Sequence, residues 1–359
     1  MNSSRKKISI RDIAAELNLS ITTVSFVING KSKQKGISVA TTKKVNELIK
    51  KRGFYPNLAA RMLRTGKSKT IGLIVEDISN NFFGRIAKTI ETEAHKSGYN
   101  VFFSSTENED TMAIELINKM KNSSVDGYII TATTGLKNEL EKLKKEHIPF
   151  VLLDRMIPGI EANYIILDNY QGGYDLTKHL LCNGYSKIGF VTIVDGMSQM
   201  FDREKGFKDA MADAKITVTE EKILKVPFKE TDENNIGIIR NYLAKNPDLD
   251  ALFFATNYLG VLGIEALQQA NVSIPSDIAI VSFDDNDLFR VFTPSVTVAS
   301  QPIKEIATRA IGLLIKMINK GQKPNKVIGE IIKPVIIKRD SSPKKISKLM
   351  RPVKVLSKQ

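Results

Sequence analysis

The sequence offers little material for disulfide or metal chemistry. Its 359 residues include one cysteine, Cys182, three histidines and no tryptophan. One cysteine excludes an internal disulfide framework, and three scattered histidines provide few metal ligands, so we predict no metal site. No apolar run approaches the roughly 18 residues that a membrane-spanning helix needs. The opening residues, MNSSRKKISI, are basic but lack the apolar stretch of a secretory signal. These absences predict a soluble cytoplasmic protein without a membrane partner.

Positive charge is concentrated at the two ends of the chain. The net charge is +14, and residues 1–70 contain 16 Lys and Arg residues against 3 Asp and Glu residues. Residues 338–359 contain 8 against 1, so the 267 residues between these segments carry a net charge of −6. A basic N-terminal module joined to a mildly acidic body indicates a polyanionic partner for the first part only. The alternative is a solvated basic surface that binds nothing.

The N-terminal residues begin with the pattern of a short helix and a sharp turn. Apolar residues recur at helical spacing over residues 10–17, and Ser9 with Asp12 forms an N-terminal capping pattern. Asn18 follows, and asparagine tolerates the left-handed conformation that a sharp turn requires.

Two further helices complete the predicted module. Ser20 can cap a second helix over residues 21–28, and Ser38 can cap a third over residues 39–52. Two helices joined by such a turn form a helix-turn-helix, in which the second helix enters the major groove of DNA. Any small three-helix bundle has a similar pattern, so spacing alone leaves that alternative open.

The body of the chain alternates between strands and helices. The first strand segments are TIGLIVE, YNVFFSS, VDGYIIT and IPFVLLD, and the second set is NYIILD, KIGFVTIV, DALFFAT and IAIVSFD. Such apolar strands separated by helices, here around 83–97, 109–122 and 136–146, predict two doubly wound parallel-sheet lobes. We expect residues 155–163 to connect the lobes, residues 285–300 to return to the first, and residues 320–330 to cross back.

Motifs for catalysis are missing from this body. No glycine-rich dinucleotide fingerprint follows the first strand, and there is neither a Walker motif nor a G-x-S-x-G elbow. His95, His147 and His179 fall on predicted helices away from strand ends, and Cys182 has the pattern of a small buried apolar residue. We therefore predict no enzymatic activity, no catalytic residues and no cofactor.

Ordered motifs make the assignment specific. The segments IRDIAAELNLSITTVSFVING and GFYPNLAARMLRTGKSKTIGLIVEDISNNFFGRI, followed by VLLDR, REKGF, ATN and SFDD, resemble the lactose-repressor (LacI/GalR) family of bacterial transcription regulators. The resemblance implies a small all-α helix-turn-helix domain followed by an α/β core of two doubly wound parallel-sheet lobes, the periplasmic-binding-protein-like architecture. We place the domain boundaries at 1–55 for DNA binding, 56–69 for the hinge helix and linker, 70–340 for effector binding and dimerisation, and 341–359 for a flexible basic tail.

The resemblance also implies a DNA-binding surface. The N-terminal part of the second helix would meet base edges, and a short hinge helix would form on the operator. There Leu63 matches the leucine that wedges into the minor groove, with Arg61 and Arg64 beside it; the alternative is a mere linker helix. The candidate DNA contacts are Ser20, Ile21, Thr22, Thr23, Ser25, Asn29, Ser38, Thr41, Asn57, Ala60, Arg61, Leu63 and Arg64.

An effector pocket is implied at the carboxyl ends of the core strands, where doubly wound lobes bind ligands. Carboxylates, an amide and a guanidinium suit sugar hydroxyl pairs, and phenylalanines suit the apolar face of a sugar ring. The alternative role for the two aspartates is helix capping. The candidate effector contacts are Phe82, Phe83, Asp154, Arg203, Phe228, Asn257 and Asp284. Sugars are the commonest ligands of such pockets, but nucleobases and sugar phosphates fit the same scaffold. Arg155 would suit an anionic sugar as the ligand.

Four departures from the family pattern affect these expectations. Asn18 replaces the usual turn glycine, and Phe26 stands where an arginine usually follows TVS, so we assign Phe26 no hydrogen bond to DNA. The segment GKSKQKGIS is about three residues longer than usual, either adding phosphate contacts or forming a solvated loop. Tyr258 stands where the family usually has an aspartate after the asparagine, here Asn257.

The resulting prediction is a DNA-binding transcriptional regulator, favouring a repressor, that binds a pseudo-palindromic operator as a homodimer under control of a small ligand. A dimer is expected because the tail lacks a sustained leucine heptad. The tail either adds sequence-independent DNA affinity or has no role. A free sugar-binding transport protein would need an export signal and no helix-turn-helix. An architectural DNA binder would not need the two-lobed body.

Overall fold

The computed structural model describes residues 8–54, 62, 66–194, 197–228, 230–320 and 327–345. The chain divides into two compact units, residues 1–68 and 69–359. The hinge candidates Asn57, Ala60, Arg61, Leu63 and Arg64 lie outside the described residues.

The first unit contains the three predicted helices, α1 (Ile10–Glu16), α2 (Ile21–Ile28) and α3 (Val39–Arg52). A serine caps the N-terminus of each of the three helices, which confirms the sequence prediction. At α1 the cap is reciprocal: the Ser9 amide donates to Asp12 Oδ2 at 2.8 Å, and the Asp12 amide donates to Ser9 Oγ at 3.3 Å. The small core packs the buried side chains of Ile13, Ala14, Val24, Val27, Val45, Leu48 and Phe54.

The connections in this unit are compact. Asn18 adopts the left-handed conformation expected of it, with φ 51°. The segment between α2 and α3 contains a 3₁₀ turn, Lys33–Lys35, that ends at Gly36 with φ 65°. The longer connection is therefore a folded turn.

The described residues of the second unit form two six-stranded sheets. The strands of the first sheet are β1 (Thr70–Val75), β2 (Asn100–Ser105), β3 (Gly127–Ile130), β4 (Phe150–Leu153), β5 (Asn163–Leu167) and β11 (Gly329–Ile332). Those of the second are β6 (Ile188–Val194), β7 (Ile223–Pro227), β8 (Ala251–Phe254), β9 (Ala279–Phe283), β10 (Thr297–Ser300) and β12 (Val335–Ile337). The helices between them are α4 (Asn81–Lys96), α5 (Asp110–Asn122), α6 (Lys137–Lys145), α7 (Asn169–Cys182), α8 (Ser198–Asp213), α9 (Asp232–Lys245), α10 (Asn257–Gln269), α11 (Asp287–Val291) and α12 (Ile303–Lys320).

The two sheets have equivalent strand orders. The first runs β11-β5-β4-β3-β1-β2 and the second runs β12-β10-β9-β8-β6-β7. Neighbouring strands pair in parallel, except that β12 pairs antiparallel to β10. The strands β1, β3, β4, β8 and β9 are buried along their whole length, as covered parallel sheets require. Strands β4 and β9 occupy the same position in their sheets.

The crossings between lobes differ from those predicted. NYIIL, expected in the second lobe, is β5 of the first sheet, because it pairs with β4, so the first crossing follows residue 167. Residues 285–300 do not return to the first lobe, since β10 pairs with β9. The return comes through α12, which packs on β3, β4 and β5. The last crossing lies between β11 and β12, beyond the predicted 320–330. Short apolar strands beside a junction fit either sheet, and only pairing decides between them.

Three smaller expectations were also wrong. Cys182 is exposed at the end of α7 rather than buried. His147 lies in the turn after α6, with φ 56°, and not on a helix. Residues 341–345, expected in a flexible tail, pack on the second lobe: Ser341 and Ser342 are fully buried, and Lys345 Nζ donates to Asp250 Oδ2 at 2.8 Å.

Candidate functional site

The recognition helix α2 turns one face to the core of its unit and the other to solvent. Val24 and Val27 are buried, whereas Ile21 is 46% exposed and Thr22 is exposed. Ser25 is half-buried on the neighbouring side. The outward face thus carries short polar side chains and one apolar side chain at the N-terminal end of the helix, where a helix-turn-helix meets base edges.

Several candidate DNA contacts also cap helices. Ser20 Oγ accepts from the Thr23 amide at 3.0 Å, and Ser38 Oγ accepts from the Thr41 amide at 3.0 Å. Asn29 Nδ2 donates to the Ser25 carbonyl at 2.6 Å. Each serine hydroxyl also lies 2.8 Å from the hydroxyl of the same threonine, so these contacts hold the ends of α2 and α3.

In the second unit, a cleft forms where strand ends of the two lobes meet. Asp154 follows β4 and Asp284 follows β9, so they occupy equivalent places in the two sheets. Both adopt left-handed backbone, with φ 69° and 66°. Their amides donate to the carbonyls of Ile165 and Ala299 on the adjacent strands. A non-glycine residue rarely adopts this conformation, and such residues concentrate at functional sites.

Arg203 is anchored by the second lobe. Its Nε donates to Asn169 Oδ1 at 2.9 Å and its Nη1 donates to the Ala255 carbonyl at 2.6 Å. Nη1 also lies 3.5 Å from Asp284 Oδ2, and the guanidinium carbon lies 3.7 Å from the centre of the Phe283 ring. The side chain is 2% exposed, so a buried ion pair is fixed from several directions.

Arg155 is anchored by the first lobe and reaches the second. It donates to Glu76 Oε2, to Asn108 Oδ1 at 2.8 Å and to Asp154 Oδ2 at 3.4 Å, all in the first lobe. Its Nη1 also contacts the sulfur of Met197, which precedes α8 of the second lobe. Arg155 therefore lies across the cleft.

Burial raises the pKa of both aspartates. Desolvation raises the pKa of Asp154, and the guanidinium groups of Arg155 and Arg203 partly oppose the rise. Desolvation likewise raises the pKa of Asp284, opposed by Arg203 and by Gln301, whose Nε2 donates to Asp284 Oδ1 at 2.6 Å. Carboxyl groups with raised pKa values beside buried cations are typical of ligand sites.

Close helix packing places Arg203. A Cβ added at Gly206 would overlap the Tyr170 carbonyl and lie 2.7 Å from the Tyr174 amide, and one at Gly173 would overlap the Arg203 carbonyl. Glycines at these positions let the backbones of α7 and α8 touch. This contact brings Arg203 to Asn169, the first residue of α7.

The other predicted effector contacts fall in two groups. Phe82, Phe83 and Asn257 line the cleft together with Asp154, Arg203 and Asp284, and the two phenylalanine rings meet edge to face at 4.9 Å. Phe228 does not line it. Its ring instead contacts the Tyr258 ring, 6.5 Å away, and Tyr258 does line the cleft.

Nine lining residues were absent from the predicted set of contacts. They are Glu76, Asn80, Arg155, Ile193, Gln199, Met200, Thr256, Tyr258 and Gln301. Glu76 follows β1 directly, so the strand-end rule that selected Asp154 would also have found it. Gln301 follows β10, which the sequence pattern assigned to a crossing. Gln199 lies on α8, and its buried Oε1 has no hydrogen-bond partner among the described residues.

The cleft is narrow between these residues, with a volume of about 40 Å³. Phe82, Asp284 and Gln301 also line a neighbouring cavity of about 360 Å³. In the described part of the chain, no group of three or more His, Cys, Asp or Glu side chains forms a candidate metal site. No helix among these residues is long and apolar enough to cross a membrane.

Comparison with known proteins gives a family match in each of the two units. Residues 9–57 match the model for bacterial regulatory proteins of the lacI family, and residues 177–342 match a periplasmic binding protein-like domain. The chain is 31% identical over 323 residues to the HTH-type transcriptional regulator RegA of Clostridium saccharobutylicum, covering 89% of this chain and 96% of RegA. The chain belongs to the LacI family. It is accordingly a transcriptional regulator with a DNA-binding and a ligand-binding domain, and its relatives are regulators rather than enzymes.

Solved structures of LacI-family proteins share its fold. A family regulator from Enterococcus faecium with bound ribose is 25% identical, with a TM-score of 0.68 over 77% of this chain and 100% of that chain. The lac repressor dimer bound to operator and the anti-inducer ONPF is 17% identical, with a TM-score of 0.81 over 94% of this chain and 100% of that chain. The predicted fold class is confirmed.

Proposed function

We propose that this LacI-family regulator represses transcription as a homodimer on a pseudo-palindromic operator, with its DNA affinity set by a small polyhydroxylated ligand in the cleft. The observation that carries the proposal is the pair of buried Asp–Arg clusters that face each other across the cleft. The chain that holds them also carries a capped recognition helix. We retain the boundaries 1–55, 56–69 and 70–340, with residues 341–345 added to the second lobe, and place the protein with its DNA in the bacterial cytoplasm.

A sugar or sugar derivative fits the chemistry of the cleft. Asp154 and Asp284 supply acceptors, Arg203 and Asn257 supply donors, and Phe82 and Phe83 supply apolar ring faces. The ribose bound to the Enterococcus faecium relative agrees with this choice. The space between the two aspartates is only about 40 Å³, so we expect the lobes to separate when a sugar ring binds between them. Arg155, which lies across the cleft, would then exchange its contact with Met197 for the ligand.

Exposed apolar surfaces support a dimer. Phe102 and Phe103, on the edge strand β2, are 48% and 52% exposed, and Leu288 and Val291 on α11 are 54% and 77% exposed. Exposed apolar side chains that share a face mark association sites, and Leu288 and Val291, three residues apart, share one face of α11. A two-fold symmetric dimer would present two recognition helices to successive major grooves, so its operator would be pseudo-palindromic.

The test is selection and sequencing of genomic fragments bound by the purified protein at about 150 mM salt, where nonspecific binding is weak. We expect an enriched pseudo-palindrome, and the adjacent genes indicate which sugars or sugar phosphates to assay for release. If no motif is enriched with or without a panel of such compounds, the proposed function is wrong.

A further inference from the structure

One aromatic side chain in the DNA-binding unit has no role in the core. Phe26 lies two residues after the buried Val24 and one before the buried Val27, roughly 160° and 100° around the helix axis from them, and its side chain is half-buried. It follows the exposed Thr22 by one turn and so shares the outward face of α2. Among the described residues, the core of this unit does not include Phe26.

The side chain that covers Phe26 comes from the long connection. Lys35 Nζ lies 5.4 Å from the centre of the Phe26 ring, within the range of a cation–π contact. Two of the four departures from the family pattern, the aromatic residue after TVS and the longer connection, therefore contact each other.

The connection is built to hold Lys35 in place. The Lys31 amide donates to the Phe26 carbonyl at 2.9 Å, and the Lys35 amide donates to the Lys31 carbonyl at 3.0 Å. Ile37 then donates its amide to the Ser32 carbonyl at 2.9 Å, after Gly36 has reversed the chain. These bonds fix the backbone on both sides of Lys35.

We propose that Phe26 and Lys35 form one composite DNA-reading element. Phe26 contacts the 5-methyl group of a thymine in the major groove, and Lys35, held by the ring, contacts the neighbouring phosphate. Phenylalanine has no hydrogen bond to offer a base, but the thymine methyl is the apolar feature of the major groove. The Lys35 ammonium supplies the cation that a phosphate contact needs.

This inference rests on the proposed function, because it requires α2 to lie in the major groove. The test begins with the selected operator, in which each thymine is replaced singly by uracil, which lacks the methyl group. For the wild type, uracil should weaken binding about fourfold at one symmetric pair of positions, the effect of one buried methyl group. Phe26→Ala should bind more weakly and no longer distinguish thymine from uracil there. Phe26→Leu, which keeps an apolar side chain, should retain part of the difference.

Lysine variants test the pairing. Lys35→Ala should weaken binding to all DNA sequences and reduce the slope of log affinity against log salt by about one for each half-site. Lys33→Ala, in the same turn, is the matched control. The effects of Lys35→Ala and Phe26→Ala should be non-additive, whereas those of Lys33→Ala and Phe26→Ala should add.

The outcomes separate this inference from the proposed function. A wild-type operator that tolerates uracil at every position overturns the methyl contact, and additive effects of Lys35→Ala and Phe26→Ala overturn the pairing; both results leave operator binding intact. Failure of the wild type to select any pseudo-palindrome rejects the proposed function and this inference with it.

Discussion

The two lobes place an aspartate at the same point of their sheets but supply its arginine differently. In the second lobe Arg203 comes from helix α8, and its hydrogen bonds and its stacking on Phe283 all remain within that lobe. In the first lobe Arg155 directly follows Asp154, and it contacts Met197 of the other lobe as well as its own. The second lobe therefore holds a preformed half-site, whereas the half-site of the first lobe depends on how the lobes meet.

This difference indicates that the two half-sites have different roles in ligand binding. A half-site whose side chains are already fixed binds a ligand without paying for their ordering. A half-site that changes its contacts when the lobes move gives the ligand different affinities for two conformations, which allosteric control requires. We expect the ligand to bind first to the second lobe and to contact Arg155 when the two lobes close.

The largest effect is expected from Arg203→Ala. It leaves Asp284 buried without its cation, which should lower the free energy of unfolding by about 3–5 kcal/mol and abolish ligand binding. Urea unfolding and ligand titration measure the two effects. The matched control is Arg85→Ala, which breaks an exposed pair with Asp287 and should cost less than about 1 kcal/mol. Equal stabilities for the two variants would contradict a preformed second half-site.

Next in size is the effect of Gly206→Ala. The new methyl group would push α8 away from α7, lowering stability by about 1–3 kcal/mol and weakening ligand binding through the displaced Arg203. Gly237→Ala on helix α9 is the control, because nothing lies within 4 Å of its new Cβ. That variant should raise stability by about 0.5–1 kcal/mol. Thermal unfolding of both variants checks the prediction, which fails if Gly206→Ala is also stabilising.

Replacing the two buried glutamines of the cleft should have smaller effects, of opposite sign, on stability. Gln199→Leu removes a buried acceptor without a described partner, so stability should rise by up to about 1 kcal/mol while ligand affinity falls. Gln301→Leu removes the donor to Asp284 and should lower stability by about 1–3 kcal/mol. Calorimetric titration and urea unfolding of both variants are needed. A loss of stability in Gln199→Leu would show that its oxygen already has a partner.

The smallest expected effect is a pH dependence. Because burial raises the pKa of Asp154 in the folded state, its contribution to stability is present below pH 3.8 and is lost as the pH rises through the folded-state pKa. The variant Asp154→Asn lacks this carboxyl group and therefore does not lose stability in this way as the pH rises. Its free energy of unfolding should therefore improve relative to the wild type as the pH rises from about 4 to 7. A difference that stays constant in urea unfolding across this range would show that Asp154 titrates as it does in the unfolded chain.

Local chemistry made part of this molecule predictable. The three N-terminal helices follow from Ser9, Ser20 and Ser38 as caps, and Asn18 takes the turn conformation predicted for it. The polar residues that line the cleft at strand ends, Asp154 among them, follow from the rule that parallel strands meet ligands at their carboxyl ends.

Long-range pairing was not predictable in the same way. The sheet to which β5 and β10 belong depends on hydrogen bonds between strands distant in sequence, and a four- or five-residue apolar run carries no information about its partner. Gln301 was missed for this reason. The contact between Lys35 and Phe26 likewise needs a folded turn that brings an inserted loop back onto the helix.

The reciprocity of ligand and operator binding tests most directly whether the cleft controls DNA binding. Operator affinity is measured with and without a saturating sugar or sugar phosphate chosen from the genes beside the operator, and ligand affinity is measured with and without operator. We expect both affinities to change by the same factor, about 5- to 150-fold, because one conformational equilibrium links the sites. An operator affinity that does not change when the ligand fills the cleft would show that the cleft does not control DNA binding.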